Sequence, residues 1–488
     1  MPIFSLPAPY GIGTMGADAR AFADFLAEAG QSCWQVLPLG PTSYGDSPYQ
    51  SFSSFAGNPY FIDLDTLCEE GLLEKSEYQD LEWFGHPAYV DYGRMYELRY
   101  PVLRKACDRL LAQNRPDFVR FCQEEAYWLE DYALFMALKD KYRGMAWFTW
   151  PKGVRLRTKL ALTRARNALT GEMAFWKGVQ YLFFRQWWAL KDYAHSRGIS
   201  IIGDLPIYAA GDSADVWANQ DQFQLDEKGL PTEVAGCPPD AFTADGQLWG
   251  NPLFDWEKMR GEGYAWWMGR IAFQFRLYDT LRIDHFRGFE AYYAIPYGET
   301  TARNGRWRPG PGIEFFHTLR RTLGERDMIA EDLGYLTPEV HEMLRQAGYP
   351  GMKILEFAFD SRGGANDYTP HRHPHHCVVY TGTHDNEPIL GWARTVDPED
   401  LAFAMDYLGV ATVEELPWGM MRGGWASQAD LAVMQFQDLL CLGSEARVNT
   451  PSTLGDNWKW RTMPGTYSPE LAKKLRRTME VYERLPIG

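Results

Sequence analysis

Three short apolar runs in this chain each give out at a carboxylate. TLRID reaches Asp284, MIAE reaches Glu331 and CVVYTGTHD reaches Asp385. Each run has the β-branched, aliphatic character of a buried strand. Further runs of the same kind lie at 33–39 (CWQVLPL), 199–205 (ISIIGDL), 352–359 (MKILEFAF) and 446–450 (ARVNT), with a weak one at 1–5. Helical periodicity falls between them, at 17–29, 312–323, 338–347 and 428–440. Strand, loop, helix, strand is the alternation of a parallel sheet. Counting the weak one, eight strands predict a (β/α)8 TIM barrel, an α/β fold whose chemistry sits at the C-terminal strand ends.

Two stretches exceed the simple repeat. Residues 65–198, after the second strand, read as mainly helical, with amphipathic segments at 94–112, 116–142 and 172–197. Residues 207–270, after the third strand, are rich in Gly, Pro and Trp and read as loop. Both leave the barrel at the C-terminal face and are expected to wall its mouth. Residues 1–488 are thus expected to form a single catalytic barrel carrying large helical and loop insertions.

Charge narrows the partners. A net charge of −15 argues against nucleic acid or an anionic membrane and suits a neutral substrate. No apolar run is long enough for a membrane span, and no basic stretch followed by an apolar one opens the chain. The seven cysteines (33, 68, 107, 122, 237, 377 and 441) show neither metal-finger nor CxxC spacing, so reduced thiols in a cytoplasmic enzyme are expected. Several Trp and Tyr residues stand in loops, where rings suit the apolar faces of sugars.

Two carboxyl groups flanking a glycosidic bond can cleave it with retention. One attacks the anomeric carbon, and the other protonates the leaving oxygen and later deprotonates the incoming one. Asp284 and Glu331 lie on consecutive predicted strands and fit those roles. Arg282, two residues before Asp284, points to the same side of its strand and is expected to lower the Asp284 pKa. Asp332 should point away from Glu331. Asp385, preceded by His384, would bind sugar hydroxyls and support the oxocarbenium-like state.

These residues stand in blocks that resemble the 4-α-glucanotransferases, the amylomaltase or disproportionating-enzyme family (glycoside hydrolase family 77). The blocks are SLPAPYGIGTMG, WQVLPLGPTSYGDSPYQSFSSFAGNPYFIDL, GDLPIYAAGDSADVW, CPPDAF, WGNPLFDW, LRIDHFRG, AEDLG, KILEFAF, TGTHDN and NTPS with NWKWR, spread over nearly the whole chain. The resemblance implies Asp284 as nucleophile, Glu331 as acid/base and Asp385 as transition-state stabiliser. It implies Tyr49, Asp204, Arg282, His285 and His384 as substrate contacts, and Tyr44 as part of a second glucan site. Loops 246–256 and 449–460, with Trp249, Asn251, Trp256 and Asn449, resemble the family's walls over the acceptor groove; Trp458 and Trp460 join them as candidate aromatic walls. The implied activity moves a segment of an α-1,4-glucan to the 4-hydroxyl of another glucan or of glucose, in a monomer or weak homo-oligomer without cofactor or metal. Where family members carry a longer first strand, only residues 1–5 stand here. Either the start is set late or the first strand is short, which would leave its neighbours with exposed edges.

Four other readings compete. The carboxylates alone also fit a retaining α-glucan hydrolase, since water can resolve the same intermediate; an acceptor wall that excludes water is what imposes transfer. GIGTMG at 11–16 matches a dinucleotide fingerprint, but the next strand ends without the ribose-binding acid. His371, His373, His375 and His376 could suggest a metal, yet they precede a strand and so belong to the face away from chemistry. A glucan-binding module that has lost activity is disfavoured by the presence of all three acids.

Overall fold

A computed structural model describes residues 1–43, 45–239, 244–334, 336–363 and 366–486. Its strands are β1 (Cys33–Gln35), β2 (Ser200–Leu205), β3 (Glu233–Cys237), β4 (Gln247–Pro252), β5 (Thr280–Ile283), β6 (Ala291–Pro296), β7 (Arg306–Pro309), β8 (Met328–Ala330), β9 (Gly351–Ile354), β10 (Cys377–Tyr380) and β11 (Leu431–Val433). Seven of these run parallel. One sheet has the order β1-β2-β5-β8 and a second the order β9-β10-β11. The Ala330 N–H donates to the Pro350 carbonyl at 2.9 Å and joins the two.

Alternation along these strands turns one set of side chains toward a common interior, as in a barrel. Ile202, Ile329, Met352, Ile354, Val378 and Tyr380 form one buried cluster, with Cys33, Leu431 and Val433 packed on it. Six strands thus send every second side chain to a common interior. Residues of opposite parity, such as Leu281 and Ile283 of β5, are buried in the larger core outside. Gly203 on β2 is required by close packing, because a Cβ there would lie 2.1 Å from the Tyr278 ring.

The predicted barrel is present, with three of its elements corrected. Residues 3–5 form a 3-10 turn rather than a strand. Pro2 has no N–H to offer a ladder. The turn still covers the flank of β1: the Met1 carbonyl accepts Trp34 Nε1–H at 2.7 Å, and Ile3 and Phe4 are buried. The segment expected to be helical at 428–440 contains β11 and only a short helix, Phe436–Leu439. A short apolar run such as LAV is ambiguous by periodicity, and the open edge of β10 decides it. Residues 446–450 are not a strand; their backbone groups are bonded to side chains and loops, as described below.

After β1 the chain is largely helical, with Tyr100–Ala112, Pro116–Glu124, Ala126–Lys141, Lys159–Ala168 and Thr170–Ser196. The helix expected over 116–142 breaks at Glu125, whose buried carboxylate turns inward to Trp128 Nε1 at 2.7 Å and to Arg276. The stretch 207–270 is more ordered than its composition suggests. It holds β3, β4 and the helix Trp256–Gly261, and the helix Ala265–Leu277 begins in it. An antiparallel sheet of order β4-β3-β6-β7 ties it to the chain beyond Asp284.

The dinucleotide reading fails on structure. No strand precedes GIGTMG, and a Cβ at Gly16 would lie 2.2 Å from Asp63 Oδ2. A carboxylate thus stands at the N-terminus of helix Ala17–Glu28, where a pyrophosphate would have to sit. The histidine-rich segment is dispersed: His371 faces the Tyr407 hydroxyl, His373 the Tyr368 carbonyl and His376 the Gly348 carbonyl. Among the described residues no group of three or more His, Cys, Asp or Glu could hold a metal ion, and no helix is long and apolar enough to cross a membrane. None of the seven cysteines is joined in a disulfide.

Candidate active site

The strand ends β2, β5, β8 and β10 deliver their polar residues to one place. Asp204 is the penultimate residue of β2, Asp284 follows β5, Glu331 follows β8, and the loop after β10 carries His384 and Asp385. The centre of the group is Arg282, on the inward face of β5. Its Nη1 lies 2.8 Å from both Asp204 carboxylate oxygens and 3.2 Å from Asp284 Oδ1. Its Nη2 stands 4.0 Å from Glu331 Oε2. Asp284 and Glu331 therefore face one buried guanidinium.

Backbone fixes the two acids as firmly as Arg282 does. The Asp284 N–H donates to the Leu205 carbonyl at 3.1 Å, and the Glu331 N–H to that of Ile283 at 3.0 Å. His285 adopts a left-handed conformation, φ +52°, which turns the chain sharply at the strand end. In that position its own N–H donates to Glu331 Oε2 at 2.6 Å. Asp332 points the other way and accepts the Met352 N–H at 2.6 Å, as strand parity predicts.

Burial dominates the electrostatics. It pushes Glu331 up to about 8, against the pull of Arg282 and with the help of the nearby Asp284 charge. Burial also raises Asp284, to about 6, because Arg282 offsets only part of the desolvation. The expected net lowering of Asp284 is thus corrected: Asp204 takes up most of the guanidinium. The side chain of Asp284 is 27% exposed and that of Glu331 13%, so Asp284 is the more open of the pair. Burial holds His285 down to about 3, a neutral imidazole, and its Nε2 has no partner among the described residues.

Aromatic and polar residues frame this centre. The Tyr49 hydroxyl donates to Asp204 Oδ2 at 2.6 Å, and its ring stacks on His384 with centroids 4.9 Å apart. The Trp458 ring lies 5.7 Å from His384 and 5.8 Å from Tyr49. Trp249 meets His285 edge-on at 4.9 Å. Asp385 is 46% exposed; Asn449 Nδ2–H donates to its Oδ1 at 2.6 Å, and His384 Nε2 lies 3.4 Å away.

Five sequence-derived residues do not open onto the cleft. Asp204 is buried with its carboxylate taken by Arg282 and Tyr49, and Trp458 is buried against the Tyr49 and His384 rings. Trp256 is 8% exposed in a cluster of rings with Phe254, Trp267, Phe289 and Phe315, so it is core rather than wall. Trp460 is likewise core, at 4%. Asn251 is buried with both amide atoms committed, Nδ2–H to the Ala209 carbonyl at 3.0 Å and Oδ1 to Gln50 Nε2–H at 3.2 Å. Tyr44, and Asp240 to Phe242 of the CPPDAF block, lie outside the described residues. The sequence reading missed Gln50, which links the loop of Tyr49 to β4, and Arg447, whose only signal is a cation in the ARVNT run.

A family model described as 4-alpha-glucanotransferase, glycoside hydrolase family 77, matches residues 1–466. The chain belongs to this family. The 4-alpha-glucanotransferase of Clostridium butyricum is 48% identical over 486 residues, covering 99% of this chain and all of the relative. That of Thermus thermophilus is 50% identical over 493 residues, covering 99% and 97%. Among solved structures, an amylomaltase from Streptococcus agalactiae in complex with acarbose superposes with a TM-score of 0.97 at 40% identity, covering 100% of this chain and 99% of that one. An amylomaltase from Corynebacterium glutamicum, at 21% identity and a TM-score of 0.77, shares the fold. The chain is accordingly an enzyme that transfers glucan segments on an amylomaltase-type barrel, and the hydrolase reading is not favoured.

Proposed function

We propose that the enzyme works by retaining double displacement, with Asp284 as nucleophile, Glu331 as acid/base and Asp385 as stabiliser of the oxocarbenium-like state. The observation that carries this reading is the shared guanidinium: two partly buried carboxyl groups of unequal exposure face Arg282. In the first step an Asp284 carboxylate oxygen bonds to C1 of the donor sugar. The C1–O4 bond breaks, and the Glu331 proton goes to the departing 4-oxygen. In the second step the Glu331 carboxylate takes the proton of an acceptor 4-hydroxyl, and that oxygen displaces Asp284 from C1. The raised Glu331 pKa supports its starting state, protonated near neutrality.

The surrounding residues suit an α-1,4-glucan, and the acarbose complex of the Streptococcus agalactiae relative agrees with glucan binding. His285, His384 and Asn449 carry polar groups at the sugar position, Tyr49 and Trp249 supply rings along it, and the buried Asp204 and Trp458 hold Tyr49 and His384 in place. Those rings favour transfer by seating an acceptor chain where water would otherwise stand. Glucose and malto-oligosaccharides serve as acceptors in this reading, in a cytoplasmic monomer or weak homo-oligomer, with Tyr44 at a second glucan site. Incubation with maltotriose tests it: a ladder of longer oligomers plus glucose is expected, and shortened products alone would contradict transfer.

A further inference from the structure

Asp385 poses a mechanical problem. It is the most open of the three acids, on a loop without regular structure between β10 and helix Ile389–Thr395. A half-exposed aspartate on such a loop has several rotamers and a movable backbone, and ordering either costs free energy. Its carboxylate is nevertheless held by Asn449 Nδ2 at 2.6 Å, so the backbones of residues 385 and 449 must keep a fixed separation.

One side chain sets that separation. Arg447 Nη2–H donates to the Asp385 carbonyl at 2.7 Å, and its Nε–H donates to the Asn449 carbonyl at 2.9 Å. Its Nη1 is paired with Glu387 Oε1 at 2.7 Å. The same planar fork thus grips both peptide units whose side chains meet in the cleft, and Glu387 fixes the fork's third corner. A second backbone bond, from the Asn449 N–H to the His384 carbonyl at 3.1 Å, runs beside it. Arg447 differs from Arg282 in its target. Its donors go to carbonyls and to Glu387, not to the Asp385 carboxylate, so it locates that acid without being its ion-pair partner.

We propose that Arg447 is a positioning residue of the transfer reaction, clamping the Asp385 and Asn449 backbones so that the Asp385 carboxylate is presented to the sugar in one orientation. The inference rests on the reading of Asp385 given above. A guanidinium suits the task because its donors are rigidly arranged, whereas a lysine offers a single flexible point.

The test is a double-mutant cycle with Arg447→Lys and Asp385→Asn, read as kcat and KM for maltotriose disproportionation, with high enzyme and long incubation for the slow variants. R447K is expected to lower kcat by roughly 10²-fold, the size of a small misplacement of a reacting group, with KM changed less than about threefold. In the D385N background the same change is expected to cost less than about threefold in kcat, because the group it positions is already gone. Equal losses in both backgrounds, or a rise in KM with kcat unchanged, would overturn the proposal and leave Asp385 as stabiliser. Near-wild-type kcat in D385N alone would overturn the role of Asp385 and this inference together. Should R447K fail to fold by circular dichroism, R447Q supplies the same comparison, since its planar amide can serve one of the two carbonyls.

Discussion

Glu331 Oε2 accepts the backbone N–H of His285 at 2.6 Å, so the proposed acid/base is bonded to the residue that directly follows the proposed nucleophile. The left-handed turn at His285 then carries the chain away from the strand end. The two carboxyl groups are therefore referenced to each other through one peptide unit and one guanidinium. Loss of either partner should be felt in the chemistry before it is felt in the fold.

Glu331→Gln removes the proton donor and keeps the shape. It is expected to lower kcat/KM for maltotriose by about 10²–10⁴-fold, the range of general acid–base catalysis. A glucosyl fluoride donor, whose leaving group needs no proton, should still load the enzyme. Steady-state rates with both donors check this, and equal losses would place the proton elsewhere.

The pH profile follows from the two raised carboxyl groups. Activity rises as Asp284 loses its proton near pH 6 and falls as Glu331 loses its proton near pH 8. These limbs belong to the pair rather than to isolated residues. A kcat/KM profile should be bell-shaped between those values, and Glu331→Gln should abolish the alkaline limb.

Stability at this site should fall as pH rises. The folded Glu331 binds its proton more tightly than the unfolded chain does, from an ordinary 4.5 to about 8. Its contribution to stability is therefore fully present below about pH 4.5 and is lost as pH rises through 8. Glu331→Gln should match the wild-type Tm at acid pH and exceed it increasingly toward pH 8. Thermal melts across that range read the difference, and a constant offset would contradict the burial argument.

Trp249 and Trp256 separate wall from core. Trp249→Ala should shift product partitioning toward hydrolysis, seen as reducing ends gained without a longer ladder. Trp256→Ala should cost about 3–5 kcal/mol of stability, as expected for a large aromatic removed from a packed core. Where Trp256→Ala folds, its ladder should match wild type.

Much of this site is legible in the sequence because strand-end carboxylates combine two local signals, an apolar run and an acid at its limit. Parity alone placed Arg282 beside Asp284 and turned Asp332 away. The barrel's last stave was missed because LAV is too short for period 2 to outweigh period 3.6, and only the free edge of β10 resolves it. Trp256 misled because a tryptophan between Gly, Pro and Asp reads as loop, whereas Asp255 caps a helix there through the Lys258 N–H at 3.0 Å. The clamp by Arg447 was invisible since two of its three partners are main-chain carbonyls, which leave no trace in residue type. The direction of the Asp284 shift needed burial, and burial at a barrel mouth depends on insertions from distant parts of the chain.

The central claim is the covalent role of Asp284. Glu331→Gln protein incubated with an α-maltotriosyl fluoride lacking its terminal 4-hydroxyl, then digested and mapped by mass spectrometry, tests it most directly. The account predicts one maltotriosyl adduct on the peptide containing Asp284, absent when Asp284 is also replaced by Asn. An adduct on another carboxylate, or turnover of the fluoride by the Asp284→Asn protein at the wild-type rate, would contradict it.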